Sequence, residues 1–302
     1  VDRTALAATL PVTMADGYSV QGLPYVESAG SPILFTAPHG LQVYRGGQNG
    51  ERRRLHLRER WSTEIALKLA AAAPTEKCAS FIVWNHKTAK KKDNNNLDPN
   101  YLTAEQQAES PFHRGLIRFK QRDYGAMPRF HIDVHGKIDR KTNLDLDVGL
   151  GPMEQHWDED GMDLLKEQLE QGFHAVFADC QQFRSRKKGS VGQLSFGVEV
   201  DPRLHGYWGT DTVMTMSHQA IAEGIAAIQL EIPYTMREQL MRDEGLFDRF
   251  ATAIYAAYDA VVATKKIGVA DGSVVGPEIG DNVLQRDPPS QQLDRDTIGR
   301  ML

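Results

Sequence analysis

The sequence predicts an α/β protein with a mostly parallel mixed sheet flanked by helices. Two observations carry that expectation. Apolar runs of strand length alternate with segments of helical spacing along the 302 residues, the pattern of a parallel sheet covered by crossover helices. Three of those runs also end alike, each delivering one residue able to bind a metal or move a proton, followed closely by Gly or Pro. They read Ile33-Leu34-Phe35-Thr36-Ala37-Pro38-His39-Gly40, Phe130-His131-Ile132-Asp133-Val134-His135-Gly136 and Ala227-Ile228-Gln229-Leu230-Glu231-Ile232-Pro233.

Residues 1–30 hold short pieces around Asp16-Gly17 and Gly22, read as turns leading into a strand. The first buried strand is 33–37. A Gly-rich loop, 46–50, precedes a helix over 57–73, in which Ile65, Ala66, Leu69 and Ala70 recur at helical spacing before Pro74 stops it. The stretch 79–84 is a second strand, and the polar tract 87–96 a surface loop. A third strand covers 131–135. A fourth covers 143–150, where Leu144, Leu146 and Val148 alternate with Asn143, Asp145 and Asp147, suggesting one wetter face. Further elements are a helix at 160–171, a strand at 226–230 and one long amphipathic helix at 236–263. No repeat or Gly/Ser linker divides the chain, so the reading is one catalytic domain over 1–265 and an extended tail, rich in Gly, Pro, Asp and Gln, over 266–302.

The composition, 41% hydrophobic and 25% charged, supports a large core, and a net charge of −5 gives no overall attraction to nucleic acid or anionic membranes. The basic runs Arg52-Arg53-Arg54 and Lys90-Lys91-Lys92 lack interleaved aromatics and read as solvated surface. Cys78 and Cys180 form neither a disulfide framework nor a CxxC site. No apolar run reaches the roughly 20 residues of a membrane span. A small soluble substrate is expected, with no nucleic-acid or membrane partner. The sequence leaves the oligomeric state and the compartment open; the cytoplasm is slightly favoured, and a cleaved signal is compatible with the Val at position 1.

Taken singly, His39 could cap a turn, His135 could be a hydrogen-bonded core histidine and Glu231 could belong to an ion pair. Taken together they sit at the ends of strands, where open α/β sheets gather ligands. Two neutral imidazoles and a carboxylate suit a catalytic zinc ion, which takes three protein ligands and leaves a fourth position for water. Asp133, two residues before His135, shares its face and can orient an imidazole. His131 shares that parity at the far end of the strand, and His86 is a rival ligand.

At these motifs the sequence resembles the N-formylglutamate amidohydrolase family, a relative of zinc carboxypeptidases and of the succinylglutamate desuccinylase and aspartoacylase group. The resembling pieces are Pro38-His39-Gly40, the segment Arg58-Glu59-Arg60-Trp61-Ser62-Thr63-Glu64-Ile65-Ala66, Leu97-Asp98-Pro99-Asn100, Asp133-Val134-His135-Gly136 and Gln229-Leu230-Glu231. The resemblance implies a zinc carboxypeptidase-like fold of the phosphorylase/hydrolase-like kind and one divalent ion, usually zinc. Its ligands would be His39, an acidic residue chosen as Glu59 on the first turn of a helix, and His135; Glu51 and Glu64 are the alternatives to Glu59. Glu231 would be the general base in hydrolysis of an amide in a small N-acyl amino acid or related compound.

Asn100 is the expected substrate contact of the Leu97 motif. Two cations common in such sequences are missing: residue 101 is Tyr, and the stretch 209–218 has no Arg. Arg114, Arg118, Arg140 and Arg237 are candidates to hold a substrate carboxylate, Arg237 being best placed. A peptidase acting on short peptides with the same metal and base is the first alternative, and a non-catalytic binding protein of the same fold the second. No Gly-x-Ser-x-Gly elbow points to a serine hydrolase.

Overall fold

The computed structural model describes residues 25–28, 31–45, 54–74, 78–84, 97–139, 146–154, 159–177, 183–184, 191–192, 196–198 and 213–264. The 266–302 tail, Glu51, His86, Arg140 and the polar tract 87–96 lie outside them. In chain order the elements are β1 (Tyr25–Ser28), β2 (Ser31–Ala37), β3 (Val43–Arg45), β4 (Arg54–His56), α1 (Ser62–Ala71), β5 (Ala79–Trp84), α2 (Ala104–Glu109) and α3 (Pro111–Gln121). They continue with β6 (Phe130–Lys137), β7 (Leu146–Gly149), α4 (Gly151–Glu154), α5 (Glu159–Phe177), β8 (Phe183–Arg184), β9 (Val191–Gly192), β10 (Phe196–Val198), α6 (Met216–Ala222), β11 (Ala226–Pro233), α7 (Tyr234–Arg242) and α8 (Glu244–Ala263).

Seven strands form one mixed sheet in the order β1-β5-β2-β6-β11-β7-β10. Its centre, β5-β2-β6-β11, is parallel. The edge strand β1 and the β11–β7 pair are antiparallel. After β2 the chain passes through α1 to β5 on one side, then returns to β6 on the other. The crevice beyond the carboxyl ends of β2 and β6 is therefore a topological switch point, where open α/β sheets bind their ligands.

Strand parity decides what faces that crevice. Paired residues across a parallel sheet share a face, and Thr36↔Asp133, Gln229↔Asp133 and Glu231↔His135 are paired. The opposite face carries Phe35↔Ile132, Ile228↔Ile132 and Leu230↔Val134, all buried. That apolar face packs on α1 and α8: Phe35 meets Tyr255 at 6.1 Å and Phe130 meets Tyr258 at 5.8 Å between ring centroids. Tyr255 also donates to Leu69 O at 2.7 Å, tying α8 to α1. On the polar-bearing face, Trp84 packs on Phe112 of α3 at 4.8 Å, and His113 of α3 meets Gln219 of α6 at 3.2 Å. The result is a sheet covered on both sides, as the near-continuous apolar strands require.

Several boundaries differ from the sequence reading for local reasons. The predicted helix over 57–73 begins only at Ser62, because 54–56 pair as β4 with β3 and Trp61 takes a left-handed conformation, φ 68° and ψ 0°. Glu59 therefore sits on the connection before α1, off the helix. The long helix expected over 236–263 is two, broken at Asp243, whose carboxylate accepts from Leu246 N at 2.9 Å and caps α8. The strand around 146–149 has no wet face, since Asp147 is as buried as Leu146 and Val148 and pairs with Lys137. Gly136 turns no chain, since it lies within β6, whereas Pro233 ends β11 and stands at the N-cap of α7. No helix among the described residues is long and apolar enough to cross a membrane.

Beneath the crevice His131 is fully buried, its Nε2 2.8 Å from Thr36 Oγ1, which in turn donates to Asp133 Oδ1 at 2.5 Å. The single hydroxyl proton goes to the carboxylate, so His131 must carry its proton on Nε2. Burial pushes its pKa down to about 4, against the pull of Asp133 and with a further push from His135. The folded value lies below the unfolded 6.5, so the unfolded chain binds more protons in between, and stability falls as pH falls from 6.5 to about 4. The full effect is about 3 kcal/mol. His131→Gln is expected to lose this acid sensitivity, so that the drop in melting temperature between pH 7 and pH 5 shrinks; an unchanged drop would put the acid-labile group elsewhere.

Candidate metal centre

His39 follows β2 through Pro38, with Trp84 Nε1 donating to Pro38 O at 2.7 Å to fix the turn. Gly40 is required next: a Cβ there would stand 1.8 Å from Thr63 Oγ1 on α1. Glu59 is brought back to His39 by its own backbone, Glu59 N donating to His39 O at 2.9 Å. Trp61 then turns the chain into α1, at a backbone cost of about 1–2 kcal/mol for a left-handed residue with a side chain. Arg60 over the Trp61 ring at 4.2 Å and the Tyr234 ring at 5.2 Å from it hold that turn.

These connections bring His39, Glu59 and His135 together. His39 Nδ1 lies 2.9 Å from Glu59 Oε1 and 2.9 Å from His135 Nδ1, and His135 Nδ1 lies 3.4 Å from Glu59 Oε2. Both rings are anchored from behind. His39 Nε2 donates to Asp98 Oδ1 at 2.9 Å, and His135 Nε2 donates to Asp133 Oδ2 at 2.8 Å. Asp98 is held by Arg45 Nε at 2.5 Å, and Asp133 by Thr36. A carboxylate behind each ring fixes its tautomer and aims the other nitrogen, here Nδ1, into one space.

The electrostatics of that space call for a cation. Burial works against a charged His39, yet Asp98 and Glu59 outweigh it and raise its pKa to about 9. His135 is likewise driven well above its usual range by Asp133 and Glu59, against its own burial. Glu59, Asp98 and Asp133 are all held low, the neighbouring imidazoles overcoming the effect of burial. Two nitrogens 2.9 Å apart have room for one hydrogen between them, so the two histidines cannot both carry the extra proton on Nδ1. A divalent ion satisfies both. Ligand atoms on a tetrahedral ion with bonds of about 2.0–2.2 Å stand about 3.3 Å apart, close to the spacing found. The donor set therefore fits zinc.

Glu231 stands beside this group, paired with His135 in the sheet and buried, with Gln229 Nε2 donating to its Oε1 at 2.9 Å. Burial raises its pKa to about 7; His135 pulls down and Glu59 pushes up. Lys137, two residues beyond His135, is clamped by Asp147, the residue opposite Glu231 on β7.

Two residues expected at the substrate are engaged elsewhere. Asn100 is buried and its Oδ1 accepts from Met216 N at 2.6 Å, at the start of α6. Arg237 is buried behind Gly136, where a Cβ would stand 2.0 Å from Nη1; its Nε donates to Arg60 O at 2.8 Å and its Nη1 to the carbonyls of Lys137 and Ile232. It supports Gly136, whose N–H donates to Glu59 Oε2 at 2.7 Å. Arg114 donates to Ala108 O on the surface. Glu64 pairs with Arg58 at 3.0 Å. Asp98 and His56 escaped the sequence reading. His56 Nε2 lies 3.1 Å from Glu59 Oε1, its ring 4.0 Å from that of His39, and His39, His56 and Glu59 form a second possible ligand triad.

Because His39 favours a proton up to about pH 9, zinc must displace one to bind. Uptake is expected to release about one proton per chain below that pH, and affinity to strengthen about tenfold per pH unit. Calorimetry in two buffers of different ionisation enthalpy measures this, and zero release would show the pair to be neutral beforehand.

No protein-family model matches the chain, and no curated protein matches it significantly. Among solved structures it is similar to an amidase from Clostridioides difficile, at 9% identity over 77% of this chain and 98% of that one, with a TM-score of 0.37. It is also similar to the succinylglutamate desuccinylase from Chromobacterium violaceum, at 11% identity over 82% and 70% with a TM-score of 0.38. A metallo-carboxypeptidase from Burkholderia cenocepacia matches at 14% identity over 80% and 61%, with a TM-score of 0.39.

Proposed function

We propose that the chain is a metal-dependent hydrolase that cleaves the amide bond of a small N-acyl amino acid or related compound. The observation that carries this reading is the pair of carboxylate-anchored imidazoles, Asp98–His39 and Asp133–His135, whose Nδ1 atoms meet Glu59 beside Glu231. His39, Glu59 and His135 would hold one divalent ion, zinc by the chemistry of the donors. Bound there, it would supply a Lewis acid that polarises the scissile carbonyl and lowers the pKa of water.

The rest falls to side chains of this chain. Glu231, poised near neutrality, takes the proton of the attacking water and returns it to the leaving amine. Gln229 occupies Oε1 of Glu231, which leaves Oε2 for the water. Lys137, fixed by Asp147 on the face that carries His135 and Glu231, is the cation we assign to the developing oxyanion. Burial of His39, His135 and Glu231, at 2%, 1% and 8% exposure, favours a small substrate over the open cleft that a long peptide needs.

Metal analysis of the purified chain, followed by a screen of N-formyl, N-acetyl and N-succinyl amino acids beside short peptides, tests the proposal. Amide hydrolysis abolished by chelator and restored by zinc is the expected result. A zinc-loaded chain that cleaves peptides and no N-acyl amino acid would move the reading to a peptidase, and a chain that holds no metal would end it.

A further inference from the structure

We propose that His56 is a fourth protein ligand of the resting metal centre, closing the position that a three-ligand site leaves to water. This rests on the metal-dependent function proposed above. His56 is the last residue of β4, which pairs antiparallel with β3, Val43↔His56 at one end and Arg45↔Arg54 at the other. Its Nε2 lies 3.1 Å from Glu59 Oε1, the same oxygen that meets His39 Nδ1 at 2.9 Å. Ligand atoms of His39, His56 and Glu59 all fall within 4.8 Å of one another. His135 Nδ1, 2.9 Å from His39 Nδ1, completes three imidazoles around one carboxylate. Ligand atoms on zinc are spaced by about 3.3 Å, so His56 Nε2 stands at the distance of a neighbouring ligand.

His56 differs from the other two imidazoles in its support. The side chains of His39 and His135 are 2% exposed, each with a buried carboxylate behind it, whereas that of His56 is 27% exposed. A ligand on a three-residue strand, partly open to solvent, is the one a substrate can displace at least cost. The paired strand β3 carries Arg45, whose Nε donates to Asp98 behind His39 at 2.5 Å.

The competing role for His56 is a hydrogen bond from Nε2–H to Glu59, with no bond to the metal. X-ray absorption on the zinc-loaded full chain separates the two. Three imidazoles are expected in the parent, and two in His56→Ala and His56→Gln. Competition with a chelator is expected to give zinc dissociation constants at least about 100-fold weaker for both variants, beyond the roughly 10–100-fold lost with a supporting contact alone. Gln preserves a donor toward Glu59, so His56→Gln binding zinc like the parent would overturn the proposal. Two imidazoles in the zinc-loaded parent would also overturn it while leaving the metal-dependent function standing. A chain that binds no zinc at all overturns both.

Discussion

His135→Gln is expected to yield a folded chain that binds zinc at least about 100-fold more weakly than the parent, beyond the range seen when a supporting group behind a ligand is lost. The choice of Gln follows from the tautomer. His135 uses Nε2–H to satisfy Asp133, a carboxylate with no exposure to solvent, and truncation to Ala would strand that charge at a cost of several kcal/mol. The Gln side-chain amide offers an N–H near the same place and nothing where Nδ1 was. His39→Gln should behave alike, keeping the donor to Asp98. Metal content after dialysis and the melting temperature of the metal-free protein, measured on the same preparations, separate ligand loss from misfolding. Retention of zinc by both variants would remove these residues as ligands. Glu59→Gln is expected to lose metal in the same assay and Glu64→Gln to keep it, since Glu64, on α1, is paired with Arg58.

The parts of the site that were legible in the sequence are those set by strand periodicity. β2, β6 and β11 are continuous apolar runs, and a strand end is a place the sheet itself defines, so His39, His135 and Glu231 could be read from linear text. Asp133 followed from parity alone. Asp98 and His56 depend on pairings that short segments cannot advertise. β3 and β4 are three residues each and flank a Gly-rich stretch, and Asp98 reaches the site because its backbone N–H joins Tyr44 O at 2.9 Å, more than fifty residues away in sequence. The helix over 57–73 was misplaced at its start for a related reason. Helical spacing continues through the apolar residues of α1 but says nothing of a left-handed Trp61, a conformation that local propensity disfavours and that the contacts with Arg60 and Tyr234 sustain. The sequence does not reveal that two of the three nitrogens of Arg237 are occupied by backbone carbonyls.

Glu231→Gln should separate chemistry from metal binding more sharply than any other substitution. Replacing the carboxylate by an amide keeps the volume, and the new carbonyl oxygen can still accept from Gln229 Nε2, which now meets Glu231 Oε1 at 2.9 Å. What disappears is the basic oxygen. General acid/base catalysis contributes roughly 100-fold to 10,000-fold, so kcat on whichever amide is hydrolysed is expected to fall by at least about 100-fold with zinc content unchanged. Stability should move the other way. Burial raises the folded pKa of Glu231 to about 7 from an ordinary 4.5, so the metal-free fold bears no cost from this group below pH 4.5, an increasing cost between 4.5 and 7, and the full cost, at most about 3 kcal/mol, above 7. A neutral Gln carries none of it. The metal-free variant should therefore melt at a higher temperature than the parent at pH 8 and at nearly the same temperature at pH 4.5. A glutamate kept only for structure predicts the opposite pair of results, a lower melting temperature and near-parental turnover per folded molecule. Near-parental kcat from a fully metallated Glu231→Gln chain would sink the proposed role of Glu231, whatever its stability.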